Sequence, residues 1–375
     1  MAINFSGTNG NDVIFGSSDN DTLRGLDGDD KLFGRNGDDF LDGGFGFDTI
    51  NGGAGTDTTS YAFFSGPIDA NLSTGVVKFP GNSTLTDTLV SIENLIGTAG
   101  NDTIVGNDAN NVLSGGAGND FIDGGFGFDI INGGTGTDTT SYAFFSGPID
   151  ANLSTGVVKF PGNSTLTDTL VSIENLIGTA GNDTIVGNDA NNVLSGGAGN
   201  DFIDGGFGFD TINGGTGTDT TSYAFFSGPI DANLSTGVVK FPGNSTLTDT
   251  LVSIENLIGT SGNDTIVGSS ANNVLSGGAG SDTLVGGFGT DVLTGGAGAD
   301  KFVFNSRFEG IDIIKDFEWR EGDKIQISKS GFGASSNNQF SYNSTNGNLF
   351  FAGEQFATIE NKPSFFSVNL DVVLV

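Results

Sequence analysis

One aspartate recurs at a fixed place in a glycine-rich nine-residue frame, and its carboxylate is the group in this chain best suited to binding chemistry. From Gly7 the sequence reads as six consecutive nonapeptides, GTNGNDVIF, GSSDNDTLR, GLDGDDKLF, GRNGDDFLD, GGFGFDTIN and GGAGTDTTS, each with glycine first and aspartate sixth. Aspartates stacked on equivalent turns would repel one another, and glycine allows backbone carbonyls to reach inward. The pattern therefore predicts a row of sites for a hard divalent cation held by carboxylate and carbonyl oxygens.

The residue types that are missing narrow the chemistry further. The chain has no histidine and no cysteine, which excludes Ser-His-Asp and Cys-His catalysis, the zinc-protease HExxH pair and disulfide bonds. The sequence also has no G-x-S-x-G nucleophile elbow. The ligands that remain are oxygens, which favour calcium or magnesium over the transition metals.

The charge balance limits the partners. The 45 acidic and 13 basic residues give a formal net charge of −32, so we expect no nucleic-acid partner, because phosphate binding needs lysine and arginine. No stretch approaches eighteen uninterrupted apolar residues, so we expect no membrane span. The start MAINFSGTNG has no basic segment followed by an apolar one, so we expect no cleaved signal peptide.

A longer period contains the nine-residue one. The block GGFGFD starts at Gly43, Gly124 and Gly205, which sets a repeat of 81 residues. Further runs of five nonapeptides start at Gly97, Gly178 and Gly259. The sequence therefore predicts nonapeptide blocks at 1–60, 97–141, 178–222 and 259–300, spacers at 61–96, 142–177 and 223–258, and a C-terminal region at 301–375.

Each spacer is 36 residues long, four times nine, so the nine-residue frame is kept across it. In that frame the eighth positions of the first spacer are Ile68, Val77, Thr86 and Leu95. We expect the spacers to continue the same coil, or to leave it and rejoin it in phase; the alternative is an unrelated surface loop. We expect the spacer phenylalanines, such as Phe63, to lie in the core.

One nonapeptide predicts a turn followed by a short strand. Its first six residues are rich in glycine, which suits a turn, and its last three form a β-favouring triplet such as Thr49-Ile50-Asn51. The middle residue of the triplet is Ile or Leu in five of the first six nonapeptides. Repetition then winds an all-β solenoid with an internal ladder of Ile, Leu and Val.

The repeat G-G-x-G-x-D-x-(large apolar)-x resembles that of the RTX, or hemolysin-type, calcium-binding proteins. The resemblance extends over Gly7–Asp300 apart from the spacers. It implies a parallel β-roll or β-helix with two nonapeptides per turn and Ca²⁺ between loop n and loop n+2. The residues it implies as calcium ligands are the sixth-position aspartates Asp12, Asp21, Asp30, Asp39, Asp48, Asp57, Asp102, Asp120, Asp129, Asp138, Asp183, Asp201, Asp210, Asp219, Asp264, Asp282, Asp291 and Asp300.

Three nonapeptides depart from the pattern. Their fourth position is alanine, at Ala109, Ala190 and Ala271, and their sixth is asparagine, at Asn111, Asn192 and Asn273. Loss of the carboxylate charge predicts weak or absent calcium binding there. We expect the spacers, which lack most of the motif glycines and aspartates, to bind none by this mechanism.

The C-terminal region reads as short strands separated by Gly, Asn and Ser, which predicts a small β cap over the open end of the coil. The segment from ADKFVFNS through IDIIKDF and GDKIQIS to the apolar end DVVLV also resembles the C-terminal region of RTX proteins exported by type I secretion. That resemblance implies the type I secretion machinery as a partner, and a secreted, extracellular or cell-surface protein.

Three classes of function remain at this point. The first is a secreted, non-enzymatic calcium-binding protein with a structural or surface role, whose repeats fold on binding extracellular Ca²⁺. The second is an adhesin whose three spacers attach to a cell surface or a polysaccharide. The third is a polysaccharide-active enzyme that uses a carboxylate pair such as Asp87 with Glu93. We expect the first, because the repeats leave no separate globular domain for an active site.

Overall fold

The structure is a computed structural model that describes the backbone of residues 1–375 and every side chain except those of 82–84, 163–165 and 244–246. It divides into two units, Met1–Gly181 and Asn182–Val375, and each is built almost entirely of short strands.

The strands of the first unit follow the nonapeptide spacing. In chain order they are β1 Asn4–Ser6, β2 Val13–Phe15, β3 Thr22–Asp27, β4 Lys31–Asn36, β5 Phe40–Phe45, β6 Thr49–Ala54, β7 Thr58–Ser60, β8 Asp69–Asn71, β9 Val76–Phe79, β10 Asn82–Val90, β11 Asn94–Ile96, β12 Thr103–Asn107, β13 Val112–Ala117, β14 Phe121–Gly125, β15 Ile130–Thr135, β16 Thr139–Ser141, β17 Asp150–Asn152, β18 Val157–Phe160, β19 Asn163–Val171 and β20 Asn175–Ile177.

Successive strands of a nonapeptide block alternate between two parallel sheets. Strand β3 pairs with β5 so that Leu23 faces Leu41, and β2 pairs with β4 so that Ile14 faces Leu32. Paired residues are thus 18 positions apart, which is two nonapeptides per turn. The structure confirms the all-β, parallel β-roll architecture that the repeat predicts.

The eighth residue of each nonapeptide forms the core. Leu23, Leu32, Leu41 and Ile50 have no exposed surface, and Ile14 is 5% exposed. The seventh residue points the opposite way, because side chains alternate along a strand; Val112, for example, is 45% exposed. Each buried rung contributes about 1.5–3 kcal/mol relative to an exposed side chain, so stability accumulates strand by strand.

Each spacer leaves the coil and then rejoins it. In the first spacer, β8, β9 and β10 form an antiparallel meander inside one sheet, between β6 and β12. Strand β11 then enters the other sheet between β7 and β13, with Leu95 facing Thr59. Rejoining in phase was the expectation from the 36-residue spacing.

One predicted rung in the spacer is wrong. Val77 and Leu95 are fully buried as expected, but Thr86 is exposed and Leu89 takes its place opposite Ile50. The register of β10 against β9 shifts before Thr86. The meander therefore uses three more residues than the nine-residue frame allows before the chain returns to the core.

The second unit repeats the arrangement and ends in a different module. Its strands are β21 Thr184–Val186, β22 Val193–Ala198, β23 Phe202–Asp204, β24 Thr211–Thr216, β25 Thr220–Ser222, β26 Asp231–Asn233, β27 Val238–Phe241, β28 Asn244–Val252, β29 Asn256–Ile258, β30 Thr265–Val267, β31 Val274–Ala279, β32 Thr283–Val285, β33 Val292–Ala297, β34 Lys301–Phe304, β35 Asp312–Ile314, β36 Lys324–Ile327, β37 Phe340–Asn343, β38 Asn348–Phe351, β39 Glu354–Ile359 and β40 Val372–Leu374. Its short helices are α1 Lys329–Phe332, a 3₁₀ turn Asn337–Gln339 and α2 Val368–Asp371.

The end of the second unit closes the coil with a β cap. Strands β37, β38 and β39 form an antiparallel sheet that joins the roll through pairing of β39 with β35. The rings of Phe332, Phe340, Phe351 and Phe356 pack together beneath it. The predicted C-terminal cap is present, and its core is aromatic where that of the roll is aliphatic.

Two neighbouring residues test the rung assignment. Leu113→Ala removes a fully buried side chain, and we expect it to lower the free energy of unfolding of the calcium-saturated protein by about 2–5 kcal/mol. Val112→Ala, on the solvent side of the same strand, is the matched control and should change it by less than about 1 kcal/mol. Denaturant unfolding measures both; equal effects would contradict the assignment.

Candidate metal centre

Close approach between turns fixes the loops that hold the aspartates. Gly44 and Gly46 have φ of 88° and 147°, a region that side chains rarely adopt. A Cβ on either would overlap the carbonyl oxygen of the turn 18 residues earlier, Leu26 O or Gly28 O respectively. Glycine at these two positions therefore brings backbone carbonyls against the neighbouring turn.

The sixth-position aspartates stack into ladders. Asp12 N–H donates to Asp30 Oδ1 at 2.7 Å, and Asp30 N–H donates to Asp48 Oδ1 at 2.9 Å. Asp21, Asp39 and Asp57 form a second ladder with the same bonds. One oxygen of each carboxylate thus accepts a hydrogen bond from the turn before it. The structure places these predicted residues on turns 18 positions apart, as the repeat implies.

The other carboxylate oxygen, Oδ2, is buried without a hydrogen-bond partner at most ladder positions. This holds for Asp30, Asp39, Asp48, Asp57, Asp120, Asp129, Asp138, Asp201, Asp210, Asp219, Asp282, Asp291 and Asp300. Burying an unpaired charged oxygen is costly, so such atoms normally meet a cation or a proton donor. The same atom is thus unpartnered at thirteen equivalent positions, each of which suits a bound cation or a proton.

A carbonyl oxygen converges on the same point. A Cβ built on Gly25, the first residue of its nonapeptide, would overlap both Asp30 Oδ2 and Gly43 O. Gly34 stands in the same relation to Asp39 Oδ2 and Gly52 O. Carboxylate and carbonyl oxygens are the ligands Ca²⁺ takes, so these residues fit the ion that the repeat implies.

Backbone ligands are required, because side chains alone do not make a site. Across the residues whose side chains are described, no group of three or more His, Cys, Asp or Glu could hold a metal ion. Each candidate centre brings together an aspartate Oδ2 and a carbonyl oxygen of the next turn, as Asp30 Oδ2 and Gly43 O, so further carbonyls would have to complete the shell. This is the arrangement expected from the glycine-rich loops.

The first aspartate of a ladder differs from the rest. Oδ2 of Asp102 accepts Thr98 N–H at 2.6 Å, and Oδ2 of Asp264 accepts Thr260 N–H at 2.6 Å. Asp12 and Asp21 are bonded in the same way, by Thr8 and Ser17. These nonapeptides have Thr or Ser at the second position, where φ is not positive as it is at Gly44, and the N–H of that residue meets the oxygen that is orphaned elsewhere. For Asp183, the structure gives its N–H donating to Asp201 Oδ1 at 2.8 Å.

An amide nitrogen replaces the carboxylate oxygen in the nonapeptides that depart from the pattern. Asn111 Nδ2 donates to Glu93 O at 2.8 Å and to Asn107 Oδ1 at 3.0 Å. Asn273 Nδ2 donates to Glu255 O at 2.6 Å. The amide supplies hydrogen-bond donors where a cation would otherwise sit, which supports the prediction that these positions bind calcium weakly or not at all.

Burial shifts the titration of the ladder carboxylates. It raises the pKa of Asp48 to about 7, with Asp87 and Asp30 adding like-charge repulsion, and raises the pKa of Asp129 and Asp210 to about 7 as well. The pKa of Asp57 rises to about 6 for the same reasons. A neutral or metal-bound state of these groups is therefore favoured over a bare carboxylate.

Four carboxylates that were not predicted from the sequence extend the ladders beyond the nonapeptides. Asp87 Oδ1 accepts Asp48 N–H at 2.9 Å, and Glu93 Oε2 accepts Asp57 N–H at 2.9 Å. In the cap, Asp312 and Asp323 receive Asp291 N–H and Asp300 N–H. The triplets Asp-Thr-Leu, Asp-Ile-Ile and Asp-Lys-Ile keep the sixth-to-eighth pattern of the repeat and could have identified the aspartates; nothing in the sequence marks Glu93.

Two glycine substitutions test whether the oxygens that meet beside Gly25 hold a calcium ion. In Gly25→Ala the new methyl group would overlap Asp30 Oδ2 and Gly43 O, so we expect the variant to lose one bound calcium ion and unfold more easily. Gly10→Ala is the matched control, because its Cβ would meet nothing closer than Thr8 Oγ1 at 3.9 Å. Native mass spectrometry would count the calcium ions bound by each variant. Identical counts for both variants and the unmodified chain would contradict a calcium site beside Gly25.

A second test uses pH. Groups whose folded pKa is raised stabilise the metal-free fold below their ordinary pKa of 3.8, and this stabilisation is lost as pH rises through about 6–7. In excess chelator, β-structure should therefore increase as pH falls from about 8 to about 5, measured by circular dichroism. Calcium binding should weaken over the same range, because protons compete for the same oxygens. A chelated protein with the same spectrum at both pH values would contradict the raised pKa values.

Comparison with known proteins agrees with this geometry. The family model of the RTX calcium-binding nonapeptide repeat matches residues 6–41, 33–61, 96–131, 105–140, 177–212, 198–222, 258–293 and 276–305. Among solved structures, one similar chain is the extracellular lipase LipA from Serratia marcescens, at 21% identity over 54% of this chain and 40% of the lipase chain, with a TM-score of 0.23. No curated protein matches. The family matches together cover more than half of the 375 residues, and the chain therefore belongs to the family of proteins built on the RTX calcium-binding nonapeptide repeat.

Proposed function

We propose that this is a secreted repeat protein that folds when extracellular Ca²⁺ fills its aspartate ladders, and that its role is structural or at a cell surface. The observation that carries the proposal is the series of buried Oδ2 atoms without a hydrogen-bond partner, such as those of Asp30, Asp120 and Asp282. The ligands we assign are the eighteen sixth-position aspartates from Asp12 to Asp300, assisted by loop carbonyls.

The negative charge of the chain makes its folding depend on calcium. At a formal charge of −32 the repeats repel one another, and each folded turn buries a further carboxylate. When bound, calcium supplies positive charge and six to eight coordination positions for these oxygens. Binding only to the folded state stabilises that state in proportion to the logarithm of the calcium concentration, and many sites in series make the effect large.

At the low calcium concentration of the cytosol, the repeats would then stay unfolded and could pass through a secretion channel. We propose the type I secretion machinery as the partner, on the resemblance of the 301–375 region to the C-terminal regions of proteins that use it. Among the described residues, no helix is long and apolar enough to cross a membrane. Folding outside the cell, where calcium is millimolar, would make export directional.

Exposed rings on the spacers favour an adhesin as the second candidate. Phe63, Phe144 and Phe225 are 71–74% exposed, which corrects the expectation that they lie in the core. Phe63 meets Phe45 edge to face at 5.3 Å, and the other two repeat this contact. Three equivalent aromatic patches suit multivalent attachment to a polysaccharide or a surface. A glycan-binding screen of the calcium-loaded chain, with the three rings replaced by alanine as control, separates this role from a purely structural one.

Asp87 and Glu93, the carboxylate pair considered for an enzyme, accept hydrogen bonds from the aspartate ladders. Asp87 is buried, with Oδ1 bonded to Asp48 N–H and Oδ2 to the Tyr61 hydroxyl at 3.0 Å. Glu93 is bonded to Asp57 N–H. Both belong to the ladders, so our proposal is for a protein without catalytic activity.

A calcium titration tests the proposal. In excess chelator at about pH 8 we expect the far-ultraviolet circular dichroism of an unfolded chain, with β-structure appearing cooperatively as calcium reaches the millimolar range. Magnesium at the same concentration is the control and should fail to replace calcium, because it demands octahedral geometry and dehydrates reluctantly. Complete β-structure in chelator would remove the basis for a calcium switch.

A further inference from the structure

The last aspartate of each nonapeptide block lies next to a spacer. At the end of the first block, Asp57 has no exposed surface, and its Oδ2 has no hydrogen-bond partner. The turn that stacks next on Asp57 belongs to the spacer, where the nonapeptide motif is absent and no calcium is expected from the sequence. The spacer atoms that face Asp57 Oδ2 decide whether this oxygen can share a cation with other ligands.

The spacer reproduces the contacts of a nonapeptide site at this point. A Cβ on Gly52 would overlap both Asp57 Oδ2 and Ser91 O, just as one on Gly34 would overlap Asp39 Oδ2 and Gly52 O. Glu93 Oε2 accepts Asp57 N–H at 2.9 Å, as Asp57 Oδ1 accepts Asp39 N–H at 2.8 Å. A serine carbonyl and a glutamate carboxylate thus replace the motif glycine and aspartate.

The backbone is strained where the carbonyl is presented. Ser91 has φ of 50°, and so do its counterparts Ser172 and Ser253. The left-handed region is unfavourable for a residue other than glycine. Strain at a fixed place in all three spacers points to a function for the resulting carbonyl direction.

Two other oxygens near the spacer ends of the ladders accept hydrogen bonds from side-chain donors. The Tyr61 hydroxyl donates to Asp87 Oδ2 at 3.0 Å, and Asn111 Nδ2 donates to Glu93 O at 2.8 Å. Asp57 Oδ2 has no such donor, and a Cβ on Gly52 would overlap both this oxygen and Ser91 O. A cation at this position would be a ligand partner for both oxygens, as at the nonapeptide positions.

We propose that each spacer builds one additional calcium site from the last aspartate of the preceding block, the serine carbonyl and the spacer glutamate. The three seam sites are Asp57–Ser91–Glu93, Asp138–Ser172–Glu174 and Asp219–Ser253–Glu255. The second and third repeat the first: Gly133 and Gly214 stand against the same oxygens, and Glu174 and Glu255 accept Asp138 N–H and Asp219 N–H at 2.9 Å. All ligands are hard oxygens, which suits Ca²⁺. The inference rests on the proposed function and extends it to residues outside the nonapeptides.

Counting bound ions tests the seam sites. In the full chain, the triple variant Glu93→Gln, Glu174→Gln and Glu255→Gln should bind three fewer calcium ions than the unmodified protein, measured by native mass spectrometry at saturating calcium. The matched control is Asp69→Asn, Asp150→Asn and Asp231→Asn, which removes three charges from the same spacers on the solvent side. The control should retain the full count.

The possible outcomes are distinguishable. An unchanged count in the glutamine variant would overturn the seam sites while leaving calcium-dependent folding intact, and so would an equal loss in the control. If the unmodified chain binds no calcium, the proposed function fails first. Should the triple variant not fold, the single change Glu93→Gln serves instead: it should lose one ion, and loss of none would overturn the proposal.

Discussion

The whole structure depends on a carboxylate oxygen that folding buries without giving it a hydrogen bond. One oxygen of each ladder aspartate fixes the preceding turn through a backbone N–H, as Asp57 Oδ1 accepts Asp39 N–H. The other faces a carbonyl at the surface between two turns. Two electron-rich oxygens at one point are unfavourable in isolation, and a divalent cation makes the same geometry favourable. On our proposal, folding and metal binding are therefore one process in this chain.

The glycine content follows from that constraint. A glycine loses more conformational entropy on ordering than any other residue, yet the first, second and fourth positions of the repeat leave no room for a Cβ in turns such as Gly25, Gly44 and Gly46. The apolar core is one side chain wide per strand, so hydrophobic burial alone has little surplus to offset this entropy. In our proposal, cation binding to the aspartate ladders offsets this entropy, and the aromatic cap contributes packing where the ladders end.

The sequence predicts the regular part of the molecule well because a strict period fixes register. Leu23, Leu32 and Ile50 are core rungs, and Asp30 and Asp48 stack, as the nine-residue spacing requires. The spacers are predicted less well, because a meander changes how many residues a turn consumes. Leu89 replaces Thr86 as a rung for that reason. The exposure of Phe63 and the part played by Glu93 depend on contacts with turns far along the chain, which no local pattern records.

The central claim is that cations occupy the points where orphaned carboxylate and carbonyl oxygens meet. Crystals grown in calcium and measured with long-wavelength X-rays would locate these ions by their anomalous scattering. The account predicts peaks within about 2.3–2.6 Å of the Oδ2 atoms of Asp30 and Asp39, and none beside Asn111. An ordered roll with no anomalous peak at those aspartates, or with water in their place, would contradict it.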